Sequence, residues 1–179
     1  MPTIQHSALT SSELHEPKGA NTASAGEVYV ADGVGSGTWV APPIGFCFYS
    51  NNTGTTISAP TSYTLLNPAT ATASTQRDVS HNSAGRLTYT GSETVGLKVL
   101  ATMTLEMTAS CDVDVVIALN GTPTSAHAHH TVQGASDLVN LTLLEYFDAT
   151  NGDYIEVFGK CDAGDLKVLD LTMIVEGII

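Results

Sequence analysis

Lys98-Val-Leu-Ala-Thr-Met-Thr-Leu-Glu-Met-Thr108 alternates apolar and polar side chains with one exception. Val99, Ala101, Met103, Leu105 and Met107 fall on one face, and Lys98, Thr102, Thr104, Glu106 and Thr108 on the other. Leu100 is the only strongly apolar residue on that second face. Successive side chains of a strand point to opposite faces, so a period of two means an extended segment with one side buried and one side wet.

The pattern continues outward from this stretch. In Asp112–Leu119, Val113, Val115, Ile117 and Leu119 point inward and Asp112 and Asp114 outward. Asn120-Gly121 follows, a pair suited to the positive φ angles of a tight hairpin turn. Arg86–Thr90 alternates cleanly, Tyr154–Phe158 follows the turn Asn151-Gly152, and Leu166–Val175 comes last. In that last run the apolar phase shifts between Val168 and Leu169, which predicts a bulge. Ser136–Phe147 also carries Leu138, Leu141 and Leu144 at helical spacing, but its β-rich surroundings favour a strand. Upstream, the apolar run Ile44–Tyr49 is broken by Asn51-Asn-Thr-Gly54, and Ser58–Asn67 and Ala71–Val79 read as threonine-rich extended pieces. Strands recurring about every 10 to 15 residues with turn residues between them predict an all-β, antiparallel jelly-roll sandwich over residues 44–179.

Residues 1–43 are different. They form a polar string with spaced apolar anchors, Leu9, Leu14, Pro17, Val28, Val30, Trp39 and Val40. Glu27–Ala31 and Thr38–Val40 flank the glycine-laden turn Asp32–Gly37, so a short β-hairpin is expected at the end of an extended arm. Pro42-Pro43 then closes the arm, because proline cannot donate to a ladder. An extended arm of this kind gains affinity by docking separated anchors onto another surface.

Charge narrows the function. Six Lys/Arg stand against 18 Asp/Glu, with no basic stripe to neutralise phosphates, so direct nucleic-acid binding is not expected. The same balance argues against an anionic membrane surface, and no segment reaches the roughly 20 apolar residues of a membrane span. The first residues lack the basic and apolar regions of a signal peptide. Cys47, Cys111 and Cys161 are an odd, widely spaced set without a C-x-x-C pair. They read as buried free thiols of a reducing compartment, with a disulfide or a histidine-completed zinc site as the alternatives.

Motifs that carry chemistry are sparse. His127 and His129, in Ala126-His-Ala-His-His130, would share one face of a strand as metal ligands often do. Cupin jelly-roll metalloenzymes use such a His-x-His pair followed closely by a glutamate, but here the next glutamate is Glu145, so the third ligand is missing from its place. Asp112 with Asp114, and the loop carrying Asp148, Asn151 and Asp153, lack the spacing of a calcium-binding loop and read as surface and turn residues. Asp162-Ala-Gly-Asp165 has ordinary turn composition. There is no nucleophile elbow, dinucleotide fingerprint or phosphate loop. The expectation is a protein that is not an enzyme and needs no cofactor.

His6-Ser-Ala-Leu-Thr, Leu14-His-Glu-Pro-Lys-Gly19, Ala23–Ala31 and Gly35-Ser-Gly-Thr-Trp39 resemble, in that order, the N-terminal segment of head-decoration, cement or head-fibre proteins of tailed bacteriophages. Ile117–Gly121 and Gly152–Val157 resemble more loosely the jelly roll of the tumour-necrosis-factor and C1q type. The resemblance implies a homotrimer made in the bacterial cytoplasm whose arms bind the major capsid protein on the outer surface of the head. Leu9, Leu14, His15, Glu16, Pro17, Lys18, Val28, Val30 and Trp39 would carry that contact. Competing expectations are a tail-fibre or receptor-binding tip that adheres to host glycan, and a cupin-like metal-binding protein.

Overall fold

The computed structural model describes residues 22–31, 33–34, 37–66, 72–82 and 85–178. The chain divides into two units with the boundary between Pro42 and Pro43. In the first unit, β1 (Val28–Ala31) and β2 (Gly37–Val40) form an antiparallel hairpin. The second unit contains β3 (Ile44–Ile57), β4 (Thr64–Leu65), β5 (Thr72–Arg77), β6 (Val79–His81), β7 (Leu87–Tyr89) and β8 (Val95–Met107). It continues with β9 (Cys111–Leu119), β10 (Thr122–Val132), β11 (Leu138–Ala149), β12 (Tyr154–Cys161) and β13 (Leu166–Ile178).

These strands form two antiparallel sheets, ordered β11-β8-β13-β3-β5 and β10-β9-β12-β7-β6, with β4 also paired to β12. The apolar sides of the two sheets share one core. It includes the inward row of β8 (Val99, Ala101, Met103, Leu105, Met107), Val113, Val115 and Ile117 of β9, and Leu171, Met173 and Val175 of β13. Each sheet has an edge close to the other. At one side Thr124 Oγ1 of β10 donates to Glu145 Oε2 of β11 across 3.2 Å. At the other the chain crosses between sheets at a single residue, Asp78, whose φ of 53° turns β5 into β6. This is the expected antiparallel jelly-roll sandwich.

Local chemistry explains several joints. The β9–β10 hairpin closes on Asn120-Gly121, both at positive φ (53° and 75°), with Leu119 paired to Thr122. Asn120 braces the turn from its side chain, accepting from Tyr154 N at 3.0 Å and donating to Asp153 Oδ1 at 2.7 Å. Ser136–Phe147 resolves as the strand β11, and its leucines at helical spacing divide between the faces, with Leu138 and Leu144 outside.

The bulge at Val168/Leu169 is present. On the β8 side Val168 pairs with Leu105 and Asp170 with Thr104, so Leu169 is one residue too many. On the β3 side the same residue faces Asn51–Gly54, since Val168 pairs with Thr55 and Asp170 with Ser50. The expected break at Asn51–Gly54 is therefore an excursion inside one long strand, because pairing with β13 resumes on its far side. Gly54 sits at φ 69°, and a Cβ there would come within 2.9 Å of Leu169 Cδ2.

A second correction concerns β9. Val116 and Ala118, on the face expected to be wet, are buried as completely as the core residues. Their neighbour in the ladder is β12, where Ala118 pairs with Glu156, a carboxylate only 2% exposed. Arg86 Nε and Nη2 both donate to Glu156 Oε1, at 2.9 and 2.8 Å, and its guanidinium lies 3.8 Å from the Tyr154 ring centroid. A buried carboxylate left without its cation is strongly destabilising, whereas removing both partners together is often close to neutral. Arg86→Met should cost about 3 kcal/mol in denaturant unfolding, and Arg86→Met with Glu156→Leu should recover most of that loss.

Candidate functional site: a hairpin and an apolar sheet face

In the hairpin, register places Val28 opposite Val40, Tyr29 opposite Trp39 and Val30 opposite Thr38. Trp39 thus lies on the opposite face from Val28 and Val30, and the structure does not bring the three predicted anchors together. Trp39 instead meets Tyr29 edge to face, with centroids 5.4 Å apart at 62°. The Tyr29 ring also covers Gly37, where a Cβ would lie 2.9 Å from two ring carbons and overlap the Val30 carbonyl. Glycine at 37 is what leaves room for the Tyr29 ring on this face of the hairpin. On the other face Val28 stays 42% exposed. Just before the hairpin, Glu27 N donates to Ser24 O at 3.2 Å, and Glu27 Oε2 accepts from Ser24 N at 2.6 Å. A two-stranded ribbon is marginal by itself. Leu9, Leu14, His15, Glu16, Pro17 and Lys18 lie outside the described residues.

The jelly roll carries a second surface that the sequence reading passed over. Leu144 of β11, Leu100 of β8 and Ile174 of β13 are direct cross-strand partners, forming an apolar row across the outer face of their sheet. Leu144 is 49% exposed, and Tyr146, one pair further along, is 57% exposed. Tyr146, Leu97 and Ile178 line an open hollow of about 270 Å³. Two ion pairs lie on this face, with Lys98 Nζ 3.1 Å from Glu176 Oε2 and Lys167 Nζ 2.6 Å from Glu106 Oε1, and Asp148 and Asp170 share it. Thr102, Thr104, Thr142, Thr172 and Asn140 fill the positions between. The lone apolar Leu100 on a threonine face was the available signal, but its row needs the register of two other strands.

The histidine and acidic candidates are placed differently. His129 Nδ1 lies 2.7 Å from Asp114 Oδ1, and Lys160 Nζ lies 3.3 Å from Asp114 Oδ2 and 4.7 Å from the Tyr63 ring centroid. Asp112 Oδ1 accepts from Thr131 Oγ1 at 2.7 Å, and His127 Nδ1 lies 3.3 Å from Ser125 O. Among the described residues no three His, Cys, Asp or Glu side chains are grouped to hold a metal ion. The loop carrying Asp148, Asn151 and Asp153 is an internally bonded turn, as expected, in which Asp153 accepts from Thr150 N, Thr150 Oγ1 and Asn120 Nδ2. Asn151 Nδ2 donates to the carbonyls of Thr90 and Gly91.

Neither a protein-family model nor a curated protein sequence matches the chain. Solved structures do. The chain is similar to the "PRD1 vertex protein P5", with a TM-score of 0.54 at 14% identity over 87% of this chain and 85% of that one. It is also similar to Eiger, a TNF of S. frugiperda (TM-score 0.51, 12% identity, 77% of this chain and 94% of that one). Murine APRIL aligns with a TM-score of 0.50 at 12% identity, over 75% of this chain and 98% of that one. At such identities the likeness establishes the jelly-roll fold.

Two carboxylates tie this scaffold to acid. Burial raises the Asp114 carboxyl, but hydrogen bonds and charge from His129 and Lys160 outweigh it and hold it below the usual carboxylate range. Asp153 is held low by the Thr150 backbone amide and by Asn120. A group whose pKa is depressed on folding adds stability above its unfolded pKa and loses it as pH falls through the folded value. Thermal stability should therefore drop as pH falls below about 4, and Asp114→Asn and Asp153→Asn should each flatten that drop.

Proposed function

We propose that this protein is a structural virion component, a trimeric decoration protein that cements the outer surface of a phage head through its N-terminal arm. The observation that carries the reading is one chain that combines an aromatic hairpin with a jelly roll presenting an exposed apolar row on the outer face of a sheet. The likeness to a viral vertex protein over 87% of the chain supports a role in a virion. The resemblance of residues 6–39 to head-decoration arms supports the mode of attachment.

The division of labour has a physical basis. An acidic chain repels copies of itself, so self-association needs a face where charge is cancelled and apolar surface is exposed. The Leu144–Leu100–Ile174 row supplies the apolar surface, and the Lys98–Glu176 pair beside it cancels part of the charge. Three arms then act together, and avidity turns a weak single-arm contact into durable attachment. The exposed carboxylates elsewhere keep a crowded particle surface soluble.

Deleting residues 1–41 should leave a soluble trimer that no longer binds expanded capsids. Full occupancy by the truncated protein would refute the arm. Ile174→Asp should convert a species of three times the 18.6 kDa chain mass into a folded monomer, read by native mass spectrometry with circular dichroism as the fold control. A wild-type monomer, or an Ile174→Asp protein that stays trimeric, would refute the sheet-face interface.

A further inference from the structure

Cys111 opens β9 and Cys161 closes β12, and both point into the sandwich, 6% and 2% exposed. Register pairs Cys161 with Val113, two residues from Cys111 on the same side of β9. Cys161 Sγ lies 3.5 Å from Gly164 O, and the two thiols are near enough to shift each other's ionisation. The strand ends around them are held together from outside, since Asp162 N donates to Asp112 O and Asp162 Oδ1 accepts from Asp112 N.

We propose that Cys111 and Cys161 form an intramolecular disulfide when the folded protein meets a small-molecule disulfide oxidant such as oxidised glutathione. The two side chains face the same interior space from neighbouring strand ends, and closing to a bond of about 2.05 Å requires those ends to shift toward each other. Those ends border turns, 108–110 before Cys111 and 162–165 after Cys161, the latter with Gly164 at φ 71°, and the turns are where such a shift would be taken up. Cys161 backs an open surface hollow of about 250 Å³ bordered by Thr61, Asp112, His129 and Lys160 on the outer side of the sheet, so an oxidant reaches the buried thiols when the strand ends open.

The chemistry balances as thiol–disulfide exchange. One cysteine loses its proton and attacks a sulfur of the oxidant, forming a mixed disulfide and releasing one small thiolate. The second cysteine loses its proton, attacks the protein sulfur of that mixed disulfide and displaces the second thiolate. Two protein thiols are oxidised, one external disulfide is reduced, and the two protons go to the two released thiolates. Burial pushes the Cys161 thiol up to about 11 and raises Cys111 as well, so few thiolates exist at neutral pH. The pair should therefore stay reduced in a reducing cytosol and close slowly outside it, faster as pH rises. The bond would tie β9 to β12 and enclose β10 and β11.

The test uses the full chain, fully reduced and then incubated under native conditions with oxidised glutathione at about pH 7 and about pH 9. Peptide mapping should find Cys111 linked to Cys161, with faster formation at the higher pH. The oxidised protein should melt roughly 5–10 °C higher than the reduced one. Cys47→Ser should leave both results unchanged, while Cys111→Ser and Cys161→Ser should each abolish them. Free thiols at 111 and 161 after the higher-pH incubation, a glutathione adduct that never resolves, or a linkage through Cys47 would overturn the proposal.

Discussion

β13 has to satisfy two ladders at once, and the extra residue at Leu169 is what lets it do so. It lies between β8 and β3, so every slip on one side must be matched on the other. Placing Leu169 outside the pairing keeps Leu166 and Val168 pointing into the core before it, and Leu171, Met173 and Val175 after it. Without the bulge, one of these two sets would face solvent, since a one-residue slip sends every following side chain to the other face. Gly54 and the four-residue excursion of β3 accommodate the same residue on the opposite side.

That register also decides what the outside of the sheet looks like. It aligns Leu144, Leu100 and Ile174 into one row and sets Lys98 beside Glu176, so a surface of mostly threonines acquires an apolar band with an ion pair at its side. The core and the proposed association face thus descend from one alignment, read from its two sides. The opposite sheet uses its outer face differently, burying Glu156 under Arg86 and tying Asp114 to His129 and Lys160.

The parts of this arrangement that are local were legible in the sequence. The alternation of Lys98–Thr108 announces β8, Asn120-Gly121 announces its hairpin, and the phase slip at Val168/Leu169 announces the bulge. What needed distant partners was not legible. Asn51–Gly54 reads as a terminator because nothing nearby shows that β13 resumes pairing beyond it. Val116 and Ala118 look like outward positions until Glu156 and Arg86 are known to lie beside them. In the hairpin, the face of Trp39 depends on the register across a five-residue turn, which pairs it with Tyr29 and not with the valines. Leu100 was visible as an exception on its face, but an exception becomes a surface only once Leu144 and Ile174 are aligned with it.

The central claim is that a jelly roll of this shape sits on a capsid through its arm. Electron cryomicroscopy of particles made with and without the protein tests it most directly. The account predicts three-lobed density on the outer head surface, repeated over the lattice and absent from particles that lack the protein. Identical heads in both samples, or density confined to the tail tip, would contradict it.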